Sequence, residues 1–547
     1  MMRVVAAAPD ADDEEYDVIV IGSGMGGLTC ASLLAQLRGL RVLVIERHWR
    51  LGGFTHWFRR PNVGRFDVGL HYIGRMGEAT PLRELMDLVT AGGVSWRALP
   101  SRFERYHFPD FTISQPAGQD AWIGELLQRW PSETDAIVRY FAAVDAAFDW
   151  FGSRLLPWRS AAAGTRRDAP GGASLFTRAT TSEALDAIGV RGRELRAVLT
   201  ATWGNYGLPP AKSAFLSHAM IVHHFLDGGW FPEGGAGEIA TCTRAVIEGV
   251  GGRCLVSREV ESVIIERGRA VGVRVASGPQ GRRQRRDYRA PTVISDAGAR
   301  TTFSRLLAED APGRASAMQE LRGLPYGSSA VQLFLGLRRS AAELGLHGEN
   351  RWMFATYDHD GHYERRNELL EGRVENSYLS FPPRLDPSAP FHTAEMVAPL
   401  DHAALAAWRG LPWKRRGDAY EALKASIATT LQDFAERFVP GLNGLVHYKE
   451  LGTPLTFETF TGHPEGAIYG LASVPLRYVL SCLRVETPIR GLLLTGSDIA
   501  SPGVVGAMIG GVATVGHVLG PGGIARVMAA SRGRAGVRDG GEPMVAG

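Results

Sequence analysis

The residues Gly22-Ser23-Gly24-Met25-Gly26-Gly27 carry the first chemistry legible in the chain. They follow Val18 to Ile21, an uncharged apolar run that suits a strand buried on both faces. A glycine at 22 permits a tight turn. One at 24 lets backbone approach a pyrophosphate, and one at 27 lets the next helix pack on the strand. That helix, small and apolar from Leu28 to Ala35, directs its free N–H groups and the positive end of its dipole at an anion. Arg41 to Ile45 reads as a second buried strand and ends in Glu46. The acid lies about 20 residues past the glycines, where a ribose hydroxyl needs a carboxylate. The same carboxylate would repel a 2′-phosphate, so NADP is disfavoured in this site. Gly22, Gly24, Met25, Gly26, Gly27 and Glu46 are therefore expected to hold a dinucleotide.

The far end of the chain repeats this grammar. Leu492-Leu493-Leu494-Thr495-Gly496-Ser497-Asp498 runs into Ser501-Pro502-Gly503-Val504-Val505-Gly506-Ala507, a second Gly-rich passage from strand to helix. Two such passages at opposite ends imply a chain wrapped around one large cofactor. After Glu46 comes Arg47-His48-Trp49-Arg50-Leu51-Gly52-Gly53-Phe54-Thr55. The glycine pair lets backbone pass a further stretch of pyrophosphate or a ribityl chain, which a simple NAD domain does not need. The cofactor therefore reads as non-covalent FAD. Arg47, Gly52, Gly53, Phe54 and Thr55 are expected beside the first turn, with Gly496, Asp498, Val505, Gly506 and Ala507 closing the site. A flavin brings its own redox chemistry, and the protein binds it, tunes it and sets a substrate against N5. His71 and Tyr72 are the candidates for handling a proton or orienting the substrate. Imidazole titrates near neutrality, and a phenol donates if its pKa is lowered. The alternative for His71 is a hydrogen bond to backbone or flavin without chemistry, and His56 reads as structural. No Ser-His-Asp order, metal-ligand spacing or phosphate-binding lysine motif competes.

From Gly52 to Phe58 the pattern is Gly-Gly-x-x-His-x-Phe, and from Asp67 to Gly74 it is Asp-x-Gly-x-His-Tyr-x-Gly. These segments resemble the flavoprotein family of phytoene desaturases, carotenoid isomerases and retinol saturases, and most of all its retinol-saturase branch. The resemblance continues at Gly228 to Gly235, Gly452 to Thr456 and Gly466 to Gly470. It implies an α/β fold: a Rossmann-type, glutathione-reductase-2-like FAD-binding domain with an inserted α+β substrate domain. It further implies that Val260 reads the adenine edge through its backbone and that Asp296 lies where the FAD domain begins to close. Asp498 would bind a ribityl or phosphate-side hydroxyl, and the helix N-terminus around Val505 to Ala507 would face the pyrimidine end of the flavin. The implied activity is FAD-dependent oxidoreduction at carbon–carbon double bonds of an apolar polyene or unsaturated lipid. Saturation or isomerisation leads and desaturation follows. Two alternatives share the scaffold. One is an amine-oxidase-like enzyme, although no cysteine stands near the closing segment for a covalent flavin link. The other is a prenyl-lipid escort like the Rab GDP-dissociation inhibitors, which has no reason to retain Glu46, Gly52-Gly53 and Asp498 together.

At 547 residues, 45% hydrophobic and 21% charged, the chain is globular and long enough for two lobes. A net charge of +3 gives no case for nucleic acid. Four scattered cysteines offer neither a disulfide framework nor a zinc site, so no metal is expected. The FAD pieces are placed at 14–75, 228–305 and 486–525. The substrate lobe, rich in aromatics, is placed at 76–227 and 306–485, with disordered ends at 1–13 and 526–547. Aromatic walls suit an apolar ligand, though residue by residue ordinary core is the commoner use. The basic stretch 278–286 reads as a solvated hairpin tip, with a lipid- or RNA-binding patch as its alternative. Segments 153–159 and 221–226 mix aromatics, aliphatics and cationic or titratable groups, as interfacial segments do, and so do helix contacts. The location is expected to be cytoplasmic, with or without peripheral membrane contact. No second dinucleotide fingerprint is present, so the electron donor or acceptor would be docked NAD(P)H, a quinone or a redox protein.

Overall fold

A computed structural model describes residues 15–155, 172–278, 283–383 and 389–538. The expected disorder at 1–13 and the far side of the 153–159 segment lie outside the described residues. Two sheets organise the molecule. Their strands are β1 (Val18–Ile21), β2 (Val42–Ile45), β3 (Arg102–His107), β4 (Thr112–Pro116), β5 (Arg253–Leu255) and β6 (Thr292–Ser295), followed by β7 (Ala330–Leu337), β8 (Asn350–Phe354), β9 (Asn376–Ser380), β10 (His392–Pro399), β11 (Val446–Gly452) and β12 (Leu492–Leu494).

The first sheet is parallel, in the order β12-β6-β1-β2-β5. Its central strands have no polar face: β1 and β2 are buried at every position, as a parallel sheet covered on both sides requires. The register puts Ile21 beside both Ile45 and Ser295, and Ser295 beside Leu494. Every strand thus ends at one level, and the turns that follow β1, β6 and β12 meet there. Helix Met25–Arg38 is buried along its first eleven residues and stops at Gly39, whose φ of 60° only glycine adopts readily. Helix Gly503–Val518 crosses it with backbone almost touching. A Cβ at Gly26 would lie 2.4 Å from Gly496 Cα, and one at Gly511 would lie 2.7 Å from Thr29 Cβ.

The second sheet runs β11-β7-β10-β9-β8-β3-β4 and is antiparallel except where β8 meets β3. Every residue of β7 and of β8 is buried. Helix Asp418–Glu436 covers one face through Ile427, Leu431 and Phe434. The other face looks toward the glycine turns.

Two sequence expectations are corrected. Residues 526–538 are not a flexible tail, and 539–547 lie outside the described residues. Helix Gly523–Arg538 packs against helix Pro81–Val89, with Val527, Met528 and Ser531 buried at helical spacing. The Gly- and Arg-rich composition masked that narrow stripe. Helix Pro81–Val89, placed in the substrate lobe by sequence, instead packs in the core with Leu33 and Leu34 of the first Rossmann helix, and Val89 accepts a hydrogen bond from Ser32. The 221–226 segment follows the alternative of helix contacts, half-buried at 221–224, with Phe225 and Leu226 buried and His224 Nε2 accepting from the Gly74 amide at 2.7 Å. In the basic hairpin, Arg283 and Arg285 pair with Glu259 and Glu261 at 2.8 and 2.6 Å. No single helix among the described residues is long and apolar enough to cross a membrane.

Candidate active site

One cavity of about 580 Å³ runs from the glycine turns into the second lobe. At one end it is lined by Gly24 and Met25, the Gly52-Gly53-Phe54-Thr55 stretch, Asp296, Asp498 and the helix start at Val505, Gly506 and Ala507. His71 and Tyr72 lie on its wall, and beyond them come Phe148, Phe151, Trp352 and Tyr378. Other aromatics of the substrate lobe, such as Phe141 and Phe354, belong to the packed core.

The remaining predicted cofactor residues act behind this surface. Gly22, Gly26, Gly27 and Gly496 are packing positions: a Cβ at Gly27 would meet the Gly22 carbonyl at 2.5 Å. Glu46 is 8% exposed. Its carboxylate accepts from the Ser23 amide (3.0 Å), the Ser23 hydroxyl (2.7 Å) and the His48 amide (2.7 Å). Ser23, which sequence reasoning passed over, also takes the Gly52 amide on its hydroxyl at 3.1 Å, and so ties the acid to the glycine pair. Val260 sits in strand Arg258–Glu266 among Leu43 and Ile45, two residues past an Arg258 amide that bonds the Glu46 carbonyl. Arg47 turns away. Its guanidinium reaches the Thr459 carbonyl at 3.0 Å and does not line the cavity.

Asp296 lies under the first turn. A Cβ at Gly24 would come within 2.5 Å of its Oδ2, a buried atom without a hydrogen-bond partner. Burial pushes its carboxyl up from 3.8 to about 7. The Gly27 and Gly24 amides oppose the shift, while Glu46 and Asp498 add to it. Asp498 accepts from the Ala299 amide at 2.8 Å. The buried Arg477, another residue without a sequence signal, holds it at 3.5 Å while bonding the carbonyls of Leu471 and Ser497. Bare backbone at 24, 52 and 53, a fixed acid at 46 and a helix start at 503–507 fit a dinucleotide lying along these turns.

His71 projects from the segment after the glycine pair, and its Nδ1 lies 3.2 Å from both Ser380 Oγ and Glu395 Oε2. Glu395 is 1% exposed and also accepts from Gln332. Ser380, Glu395 and Gln332 come from β9, β10 and β7, adjacent strands of the second sheet. Tyr72 is a different kind of group from the one expected. Burial, followed by the nearness of Glu104 and Tyr378, pushes its phenol well above 10, so it stays a neutral hydroxyl. It accepts from Asn205 at 2.7 Å. Glu104 itself is pushed up by burial from 4.5 to about 8, against hydrogen bonds from Tyr72, Trp352 and Asn350. A buried acid of this kind is protonated at neutral pH. His56 is structural, with Nδ1 on the Gly53 carbonyl.

Residues 20–88 match the family model of the NAD(P)-binding Rossmann-like domain. The chain is 32% identical to the all-trans-retinol 13,14-reductase of Homo sapiens, over 91% of its own length and 84% of that protein. The chain belongs to the retinol saturase and carotenoid isomerase family of FAD-dependent oxidoreductases. Within that family it is also 25% identical to the chloroplastic prolycopene isomerase of Arabidopsis thaliana, over 92% of this chain and 82% of the relative. The structure of cyclohexylamine oxidase from Brevibacterium oxydans superposes with a TM-score of 0.57 at 16% identity, covering 96% of this chain and 100% of that one. That likeness concerns the fold. The family assignment accounts for the Rossmann turn and the acid at 46, and it sets the prenyl-lipid escort reading aside.

Proposed function

We propose that the protein holds FAD non-covalently along the glycine turns and reduces a carbon–carbon double bond of an apolar polyene such as all-trans-retinol. The observation that carries this reading is the single cavity that joins the turns, His71 and an aromatic wall. When bound, the flavin supplies hydride exchange at N5. Glu46 with Ser23 fixes the adenosine side, and Asp498 with Arg477 fixes the ribityl side. Phe148, Phe151, Trp352 and Tyr378 exclude water and bind the apolar chain. Saturation adds a hydride to one carbon and a proton to its neighbour. His71 holds that proton on Nε2, since its Nδ1 is directed at Glu395 and Ser380, which orient the ring. Tyr72, neutral and bonded to Asn205, orients the substrate. The FAD segments 15–75, 228–305 and 486–525, with helices Pro81–Val89 and Gly523–Arg538 packed on them, form one unit around the parallel sheet, and reducing equivalents come from docked NAD(P)H, a quinone or a redox protein.

The visible spectrum of the purified protein tests the cofactor. A flavin spectrum released on unfolding is expected, and a colourless protein that FAD fails to reconstitute overturns the reading. Mixing the anaerobically reduced protein with all-trans-retinol tests the reaction. His71→Gln should keep the flavin and slow reoxidation by about 10²- to 10⁴-fold. Wild-type rates in that variant would remove His71 from the mechanism.

A further inference from the structure

Behind the aromatic wall of the cavity stands an acid that no cation among the described residues compensates. Glu104 on β3 is 1% exposed and does not itself line the cavity. In the parallel pairing of β3 with β8, Glu104 lies opposite Asn350 and Tyr106 opposite Trp352. Side chains two apart on a strand share a face, so Glu104, Asn350 and Trp352 stand together behind the wall. Arg105 and Arg351, the intervening pair, leave from the other face, where Arg351 bonds Glu349 and His107. Glu104 Oε2 accepts the Trp352 indole N–H at 2.8 Å. The other polar groups in hydrogen-bonding reach of the carboxyl are Tyr72 and Asn350. Oε1 is buried, and no group among the described residues bonds it in good geometry.

Burial raises this carboxyl to about 8, so it carries a proton at neutral pH. A buried O–H needs an acceptor. The Trp352 indole is a donor only. Asn350 Oδ1 already accepts from the Tyr378 hydroxyl at 2.7 Å, and its Nδ2, without a partner, is again a donor. Tyr72 Oη remains, and it also accepts from Asn205 Nδ2 at 2.7 Å. A hydroxyl oxygen has two lone pairs. With both taken, the Tyr72 O–H points away from both donors, into the cavity that Tyr72 and Asn205 line. The ring itself is clamped between Phe225 at 4.3 Å and Tyr378 at 6.4 Å, both stacked on it. The direction of the O–H is the freedom left to it. We propose that Glu104 is a positioning residue acting through Tyr72: its proton on Tyr72 Oη sends the Tyr72 hydroxyl into the cavity, as a donor to an oxygen at one end of the unsaturated substrate. This rests on the cavity holding such a chain. An ionised Glu104 reverses the arrangement, because the carboxylate accepts the Tyr72 O–H and the cavity loses its donor. The donor is thus present below about pH 8 and lost as pH rises through it. The titratable groups packed against Glu104 are Tyr72, Tyr106 and Tyr378, all pushed well above 10 by burial. His71 and Glu395 stand beyond Tyr378.

The test is equilibrium binding of two shape-matched probes to the purified protein, read by quenching of tryptophan fluorescence from about pH 6 to about pH 9.5. One probe is all-trans-retinal, whose oxygen can only accept. The other is the hydrocarbon in which a methylene replaces that oxygen. No lysine lines the cavity to form an imine with the aldehyde. The ratio of the two affinities cancels what both chains gain from burial. In the wild type this ratio should fall about 2- to 10-fold in disfavour of retinal as pH passes about 8, the worth of one net hydrogen bond. Glu104→Gln offers Tyr72 an amide N–H at every pH, so its ratio should stay at the wild type's neutral value throughout. Tyr72→Phe should hold the lower ratio at every pH. A role confined to packing would move both affinities together and leave the ratio alone. A wild-type ratio that is constant with pH, or a Glu104→Gln ratio that falls with the wild type's, would overturn the proposal and leave the polyene reading standing. Failure of both probes to bind would remove that reading, and this inference with it.

Discussion

Asp296→Asn should make the protein more tolerant of alkaline pH. The carboxyl is raised by burial from 3.8 to about 7, with Glu46 and Asp498 contributing like charge. The folded state therefore keeps a proton that the unfolded chain gives up near pH 4. The stability tied to this group is full below that pH, is lost as pH rises toward 7, and changes no further above it. At about 1.4 kcal/mol per pH unit, the interval corresponds to ~4 kcal/mol as an upper bound. Asparagine has the shape of the protonated acid and no proton to lose. It would leave the wild type and the variant close in stability at pH 4.5 and separate them by several kcal/mol at pH 8. Thermal melts of the flavin-free protein at both pH values would read the difference. FAD affinity should move the same way, because the ionised carboxylate lies beside the turn that must face a pyrophosphate. Parallel loss of stability in the two proteins from pH 4.5 to 8 would show that this carboxyl does not titrate in that window, and the reasoning from burial would fail.

Glu104→Gln should match the wild type in stability below pH 4.5 and be the more stable of the two at pH 7, because the acid it replaces is raised by burial from 4.5 to about 8 and the unfolded chain gives up that proton first. The gain should build as pH rises from 4.5 to 8 in the same melts and level off above 8, whereas Glu104→Ala should cost ~1–3 kcal/mol by leaving the Trp352 indole N–H without its acceptor at 2.8 Å. Gly26→Ala would drive a methyl to 2.4 Å from Gly496 Cα. It should cost at least ~1–3 kcal/mol and show up as loss of flavin absorbance in the purified protein.

The parts of the site that could be read from sequence are those whose chemistry is local. A strand, a glycine turn, a helix and an acid lie within thirty-odd residues of one another, so Gly22 to Glu46 announce themselves, and so does Gly496 to Ala507. The residues that finish the site have no such neighbourhood. Glu395 reaches His71 only because β10 lies beside β9, and Glu104 meets Trp352 only because β3 runs parallel to β8, with Asn350 opposite Glu104. Those registers depend on the hydrophobic matching of whole strands, which no short motif records. Tyr72 was legible as a residue and not as a chemical state, since its raised pKa comes from burial by elements hundreds of residues away. The terminal helix was obscured for another reason. A stripe of two or three apolar residues suffices when the partner helix supplies the rest of the interface, and overall composition does not register so few.

The contact between Gly26 and Gly496 also constrains how the molecule comes into being. The first strand and helix of the nucleotide-binding unit are made about 470 residues before the strand and helix that complete them. At 5–20 residues per second, roughly 25 to 95 s separate the two events. Through that interval an unfinished parallel edge at β6 and the small-residue face of helix Met25–Arg38 stand without their mates. Pairings this distant in sequence are slow to form and prone to side reactions. A cofactor held by both turns would thus have to wait for β12 and the helix after it, and the nascent chain is the form of this protein most in need of a chaperone.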